Sequence, residues 1–218
     1  MRRFRFEGRV LMVIIGLSFL PSFSLALERG EVILSGGPVM TPIVAGGISA
    51  NGDSVDYSDI FKTGWGIGLD GMLALSRWIR IGGGFSTTIF PGDKLGGEDV
   101  SKWWVAPMMA GVELFPINVF TDSKLAPYLR ADFGVVFLGG VHVDNPAGDT
   151  DLKLFRTTAA YAGDIGAGLE WQFGKQWGCF GEVRYMMTGH PYGGGDISAH
   201  DQDPVSSLPV RLGITYVY

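Results

Sequence analysis

The sequence predicts an all-β fold, an eight-stranded antiparallel transmembrane β-barrel, from three observations. Apolar and polar residues alternate with period two through segment after segment, the polar face is rich in glycine, and the connections alternate between short and long. The chain is 46% hydrophobic with a mean hydropathy of +0.22, and it carries 34 glycines. Glycine at that level disfavours helix and suits tightly curved, twisted strands. Nothing after Leu27 forms an uninterrupted apolar helix of spanning length.

The first element is an export signal. Arg2, Arg3, Arg5 and Arg9 form a basic region interrupted by Glu7, residues 10–20 are almost wholly apolar, and Pro21 precedes Ser22-Phe23-Ser24-Leu25-Ala26. That order is the layout of a secretory signal peptide, with cleavage expected after Ala26. The apolar run is about half the ~20 residues that a spanning helix needs, and no cysteine near the cleavage point suggests a lipid-attached terminus. Residues 1–26 are thus expected to be removed, and 27–218 to form one barrel domain. The net charge of −5 includes the four signal arginines, so the mature chain is more acidic still, which argues against a nucleic-acid partner. Cys179 is the only cysteine, so neither an intrachain disulfide nor a multi-cysteine zinc site is possible.

Eight strand segments follow: 31–47, 61–75, 78–90, 103–115, 125–139, 158–173, 177–189 and 207–218. Pro38 and Pro42 disturb any ladder in the first. In the second, Trp65, Ile67, Leu69, Leu73 and Leu75 oppose Gly66, Gly68, Asp70 and Met72. In the sixth, Tyr161, Ile165, Ala167, Leu169, Trp171 and Phe173 oppose Asp164, Gly166, Gly168, Glu170 and Gln172. The seventh sets Val183, Tyr185 and Met187 against Glu182 and Arg184; Cys179 falls on its apolar face as a small lipid contact. The eighth sets Val210, Leu212, Ile214, Tyr216 and Tyr218 against Arg211, Gly213, Thr215 and Val217. Ser76-Arg77 and the stretches 116–124 and 174–176 are short or moderate. Segments 48–60, 91–102, 140–157 and 190–206 are longer and rich in Gly, Asp, Asn and Ser. Short turns on one side and long loops on the other predict periplasmic turns, extracellular loops and both termini on the periplasmic side.

A soluble barrel has the same period but the opposite polarity. Here the polar face is too small and glycine-rich to coat an exterior, whereas the apolar face carries full-sized side chains, so lipid lies outside. The lumen face then carries Asp70, Glu113, Asp132, Asp164, Glu170 and Glu182 with Arg80, Arg130, Arg184 and Arg211. Side chains nearly fill the interior of an eight-stranded barrel, and an unpaired buried charge is costly. The lumen is therefore expected to be a salt-bridged plug, which disfavours wide-pore transport. Trp65, Trp78, Trp103, Trp104, Trp171, Trp177, Tyr216 and Tyr218 fall near strand ends and are expected in interfacial girdles rather than in core packing.

Residues 211–218 resemble the terminal strand signal of bacterial outer-membrane proteins, with Leu212, Ile214, Tyr216 and the final Tyr218 forming the alternate apolar series. The turn from Glu113-Leu114-Phe115-Pro116 through Pro127-Tyr128-Leu129 resembles small barrels of the OmpA/OmpX type. The resemblance covers the mature chain as architecture. It implies a Gram-negative outer-membrane location, recognition by the barrel assembly machinery and contact with outer-membrane lipids including lipopolysaccharide. It also implies a monomer with a structural or loop-mediated surface role. No peptidoglycan-binding domain is expected after the last strand. Fold alone is weak evidence of function, so two alternatives stand beside this one: a narrow channel for small apolar molecules or ions, and a lipid A-modifying enzyme.

The enzyme alternative needs a general base within reach of its nucleophile. His142, His190 and His200 all fall in long loops, and no serine follows His190 at two residues. No catalytic residue and no cofactor is therefore assigned. Each long loop is acidic, with Asp53, Asp56 and Asp59, then Asp93, Glu98 and Asp99, then Asp144, Asp149 and Asp151, then Asp196, Asp201 and Asp203. Carboxylates hold divalent cations, but the spacing matches no EF-hand and no metal ligand is assigned. Gly193-Gly194-Gly195 lacks the strand-to-helix setting of a phosphate cradle.

Overall fold

The period-two segments form eight long strands: β1 (Val32–Thr41), β2 (Gly64–Ser76), β3 (Ile79–Phe90), β4 (Trp103–Leu114), β5 (Leu125–Leu138), β6 (Thr158–Gln172), β7 (Trp177–Thr188) and β8 (Val210–Val217). The structure, a computed structural model, describes residues 30–50, 53–76, 78–95, 98–116, 125–143, 152–174, 176–189 and 203–218. The expected signal peptide, His190, His200, the glycine run 193–195, and Asp144, Asp149, Asp151, Asp196 and Asp201 lie outside the described residues.

Every strand pairs antiparallel with its sequence neighbour, and β8 pairs with β1 from Ile33↔Val217 to Met40↔Val210. The sheet therefore closes on itself as an eight-stranded barrel. Closure satisfies backbone N–H and C=O groups without a free edge, the requirement for crossing lipid with strands.

The prolines interrupt this wall without breaking it. Pro38 belongs to β1, whose ladder to β2 is continuous, while pairing to β8 lapses between Gly36↔Ile214 and Val39↔Arg211. Pro107 in β4 pairs with Val136 of β5, while the β3 ladder lapses between Phe85↔Met108 and Thr88↔Val105. A residue with no N–H can sit in a strand only where a ladder bond is absent. Pro42 separates β1 from the short strand Ile43–Ala45, which pairs with Ser206–Ser207 before β8 begins.

All charged residues of the eight strands are the ten placed in the lumen by the sequence pattern. Large apolar side chains cover the outside, with Leu69 59% and Ile165 65% exposed. Burying either in water-free protein is unnecessary if hydrocarbon surrounds the wall.

The long loops carry more structure than their composition predicts. Gly47–Ala50 pairs with Asp53–Asp56, one helical turn follows at Tyr57–Ile60, and Val141–Val143 pairs with Leu152–Phe155. Gly46 adopts φ 109°, and a Cβ there would meet the Pro204 carbonyl and the Tyr57 ring. The resulting tight turn brings Tyr57 inward, where burial and the Asp203 carboxylate push the phenol's pKa up.

Candidate functional site

The barrel interior contains three layers. At the periplasmic end, Phe115 and Tyr128 pack with ring centroids 5.6 Å apart, against Ala126. Arg80 lies 4.4 Å over the Phe115 ring, and the Tyr128 hydroxyl donates to Glu182 Oε2 at 3.0 Å. The register explains the site: on each strand the residues two apart share the lumen face, and neighbouring strands align them at one height.

The middle layer brings all ten sequence-predicted lumen residues into one network. Arg130 donates from Nε to Asp132 Oδ2 at 2.6 Å, from Nη1 to Glu113 Oε1 at 3.2 Å and from Nη2 to Asp70 Oδ1 at 2.8 Å. Arg184 contacts Glu182 at 2.5 Å, Asp132 at 3.2 Å and Asp164 at 3.6 Å. Arg211 contacts Asp70 at 2.5 Å and Glu182 at 3.1 Å, while Arg80 contacts Glu170 at 2.6 Å and Glu113 at 3.6 Å. Forked guanidinium groups can bridge carboxylates from several strands at once, which a lysine ammonium does less well. Glycines make the room. Asp70 faces Gly84, Asp132 faces Gly111, and Arg184 faces Gly166 in the strand registers.

The extracellular layer was not expected. Here the lumen register turns apolar: Phe90, Trp103, Val105, Met109, Val136, Leu138, Ala160 and Ala162 form one cluster with Ile43, Tyr57, Ile60, Phe61, Val141, Val143 and Val205 from the connections. Trp103 is therefore not a girdle residue. It is 1% exposed and packs against Phe61 and Phe90 at 5.2 and 5.5 Å. Its neighbour Trp104 takes the outward register, with Trp65, Trp78, Trp171, Trp177 and Tyr218 also exposed. The signal was present as a loss of alternation: residues 103–110 and 135–138 are apolar on both faces. Between this cap and the charged layer lies a small cavity of about 40 Å³, room for a few waters, bounded by Thr88, Phe90 and Met109 above and by Asp70, Asp164 and Arg211 below.

His142 is exposed in the extracellular strand Val141–Val143, with its backbone N–H on Ser101 Oγ at 3.0 Å. Among the described residues, no group of three His, Cys, Asp or Glu is placed to hold a metal ion. Cys179 lies on the outer register between Trp171 and Ile214.

Solved structures share this architecture. AlkL, an outer membrane protein determined in DMPC bilayers, superposes with a TM-score of 0.53 at 17% identity, covering 91% of this chain and 94% of its own. Ail, the attachment invasion locus protein of Yersinia pestis, gives 0.51 at 14% identity, covering 87% and 99%. The fold is that of the small outer-membrane β-barrels. Ail in complex with the heparin analogue sucrose octasulfate matches this barrel at 0.50 and 15% identity, over 87% of this chain and 99% of its own. No protein-family description and no curated protein matches the sequence. The likeness is one of fold, so the role of the barrel rests on its own residues.

Proposed function

We propose that the protein is a monomeric, integral outer-membrane barrel without a through-pore, whose role is structural or carried by its extracellular loops. The observation that supports this is the doubly filled lumen: a charge network in which Arg130 alone joins three strands, and an apolar cap above it. Planar-bilayer recording is the test. Purified barrel should give no steady unitary conductance, and reproducible channel openings would overturn the closed-lumen reading. In this reading it is not an enzyme; altered lipid A mass in cells that express it would contradict that.

Residues 1–26 are then removed on export, residues 27–218 form the mature barrel, and the barrel assembly machinery delivers it among lipopolysaccharide and other outer-membrane lipids. N-terminal sequencing of the membrane-purified protein should begin at Leu27; recovery of Met1 would overturn the cleavage. Ail's complex with a sulfated ligand concerns Ail alone. The described loops here carry Asp56, Asp59, Asp93, Glu98, Asp99 and Asp203 interleaved with Lys62, Lys94, Lys102 and Arg156, a mixed and weakly acidic surface rather than a basic one that would attract a polyanion.

The narrow-channel alternative keeps one supporting observation: the cavity reaches Phe85, Ser86 and Pro107, where the β3–β4 ladder lapses.

A further inference from the structure

We propose that Asp132 and Asp164 together form a proton-binding site in the lumen: at neutral pH they share one proton, carried by Asp164 and donated to Asp132. Three observations lead there. The first is position. The two carboxyls stand directly opposite each other across the β5–β6 ladder, both are 6% exposed, and they hydrogen-bond each other. Ionised carboxylates offer only acceptors, so a hydrogen bond between them requires that one keep its proton. Like charges facing each other on neighbouring strands repel, and two adjoining carboxylates in a water-poor interior do not both ionise.

The second is the distribution of arginine, which decides where the proton sits. Asp132 Oδ2 accepts from Arg130 Nε at 2.6 Å and from Arg184 Nη1 at 3.2 Å. Asp164 Oδ2 lies 3.6 Å from the same Arg184 nitrogen, too far for a hydrogen bond. Every arginine of the layer has nearer partners: Arg130 serves Asp132, Asp70 and Glu113, Arg184 serves Glu182 and Asp132, Arg211 serves Asp70 and Glu182, and Arg80 serves Glu170. Asp132 is therefore the member held as a carboxylate, and Asp164 the member that keeps the proton.

The third is the charge of the whole layer. Six carboxyls meet four arginines, and a proton retained on one carboxyl narrows an imbalance that a buried layer penalises. Asp164 also lines the cavity of about 40 Å³, where a few waters give the proton a place to exchange without a pore. The folded barrel then holds a proton that the unfolded chain releases at neutral pH, so its stability falls as rising pH strips that proton away.

The site depends on pairing within the network and stands apart from the closed-lumen reading. Conductance would overturn that reading alone, and infrared spectra decide this one alone. Full-length mature barrel is studied in an alkyl maltoside, a detergent with no carbonyl group to mask the signal. At neutral pH it should show the carbonyl band of an un-ionised carboxylic acid, and isotopic labelling of the aspartate carboxyl carbons should shift that band. Asp164→Asn should lack the band yet keep the urea midpoint of the unsubstituted protein, because the amide still donates to Asp132. Asp132→Asn removes the acceptor of Arg130 and Arg184 and should lower the midpoint. In the unsubstituted protein the midpoint should fall over the pH range in which the band disappears. The proposal is overturned by a missing band, a band indifferent to aspartate labelling, or one that survives in Asp164→Asn. It is equally overturned if Asp164→Asn is the less stable of the two variants, or if the midpoint ignores the loss of the band. The labelled spectrum needs no variant, so it decides the matter even if neither substituted protein folds.

Discussion

Gly111 stands directly opposite Asp132 across the β4–β5 ladder, and a Cβ on Gly111 would run into both Asp132 Oδ1 and the Ala131 carbonyl. The absence of a side chain on one strand is what admits a carboxylate from the next. Gly84 and Asp70 repeat the relationship between β3 and β2. Lumen glycine is thus part of the charge network, since it sets where the charged groups can lie.

Gly111→Val should destabilise the barrel by about 1–3 kcal/mol through overpacking. Urea unfolding in lipid vesicles measures it, and an unchanged midpoint would show that the layer tolerates added volume. Ala110→Val, on the outward face of the same strand, should cost much less because lipid adapts.

Arg130→Met removes the donor to Asp70, Glu113 and Asp132 together. Leaving buried carboxylates without their counterion should cost about 3–5 kcal/mol. Arg130→Lys should recover only part, because an ammonium cannot reproduce three forked contacts. The same unfolding assay ranks the three proteins, and equal stability of the Lys and Arg forms would remove the geometric argument.

Leu69→Arg and Ile165→Arg place a charge on the outer wall near mid-strand. Each should cost roughly 2–4 kcal/mol in a bilayer. Heat-modifiable mobility after refolding into vesicles gives the folded fraction. Harmless arginines at both sites would mean that water, not lipid, surrounds this face.

Trp103→Ala empties the centre of the extracellular cap, where it meets Phe61, Phe90 and Tyr57. A loss of about 3–5 kcal/mol is expected for a buried tryptophan. Because Tyr57 and Phe61 come from a connection, proteolysis of intact cells should accelerate in residues 53–63 while the strands remain protected. Unchanged cleavage would place Trp103 outside the packing of that loop.

Tyr218 is 84% exposed at the chain end, so little packing depends on it. Tyr218→Asp should reduce the amount of barrel reaching the outer membrane, yet refold in detergent with near-normal strand content, since closure rests on interstrand hydrogen bonds. Membrane fractionation reports delivery and gel mobility reports folding. Normal delivery of the variant would remove the assembly-signal role of Leu212, Ile214, Tyr216 and Tyr218.

Alternation in the sequence alone determined the number of strands, their order, their approximate ends and the inward face of every charged residue in the wall. A strand's period of two is local, so Asp70 against Leu69, or Glu182 against Val183, can be sorted without knowing any partner. Register could not be sorted that way. Which carboxylate meets Arg130, and that Gly111 rather than Ala110 faces Asp132, depend on pairing between strands distant in the chain. The cap was hidden for a related reason. Parity with Glu113 on the same strand puts Trp103 on the lumen face and Trp104 on the outer one, but only the packing of the Tyr57–Ile60 turn and Phe61 over that end makes the lumen around Trp103 a closed apolar core. Local pattern chose the faces; long-range packing chose the neighbours, because contact energy is gained only when the ring has closed.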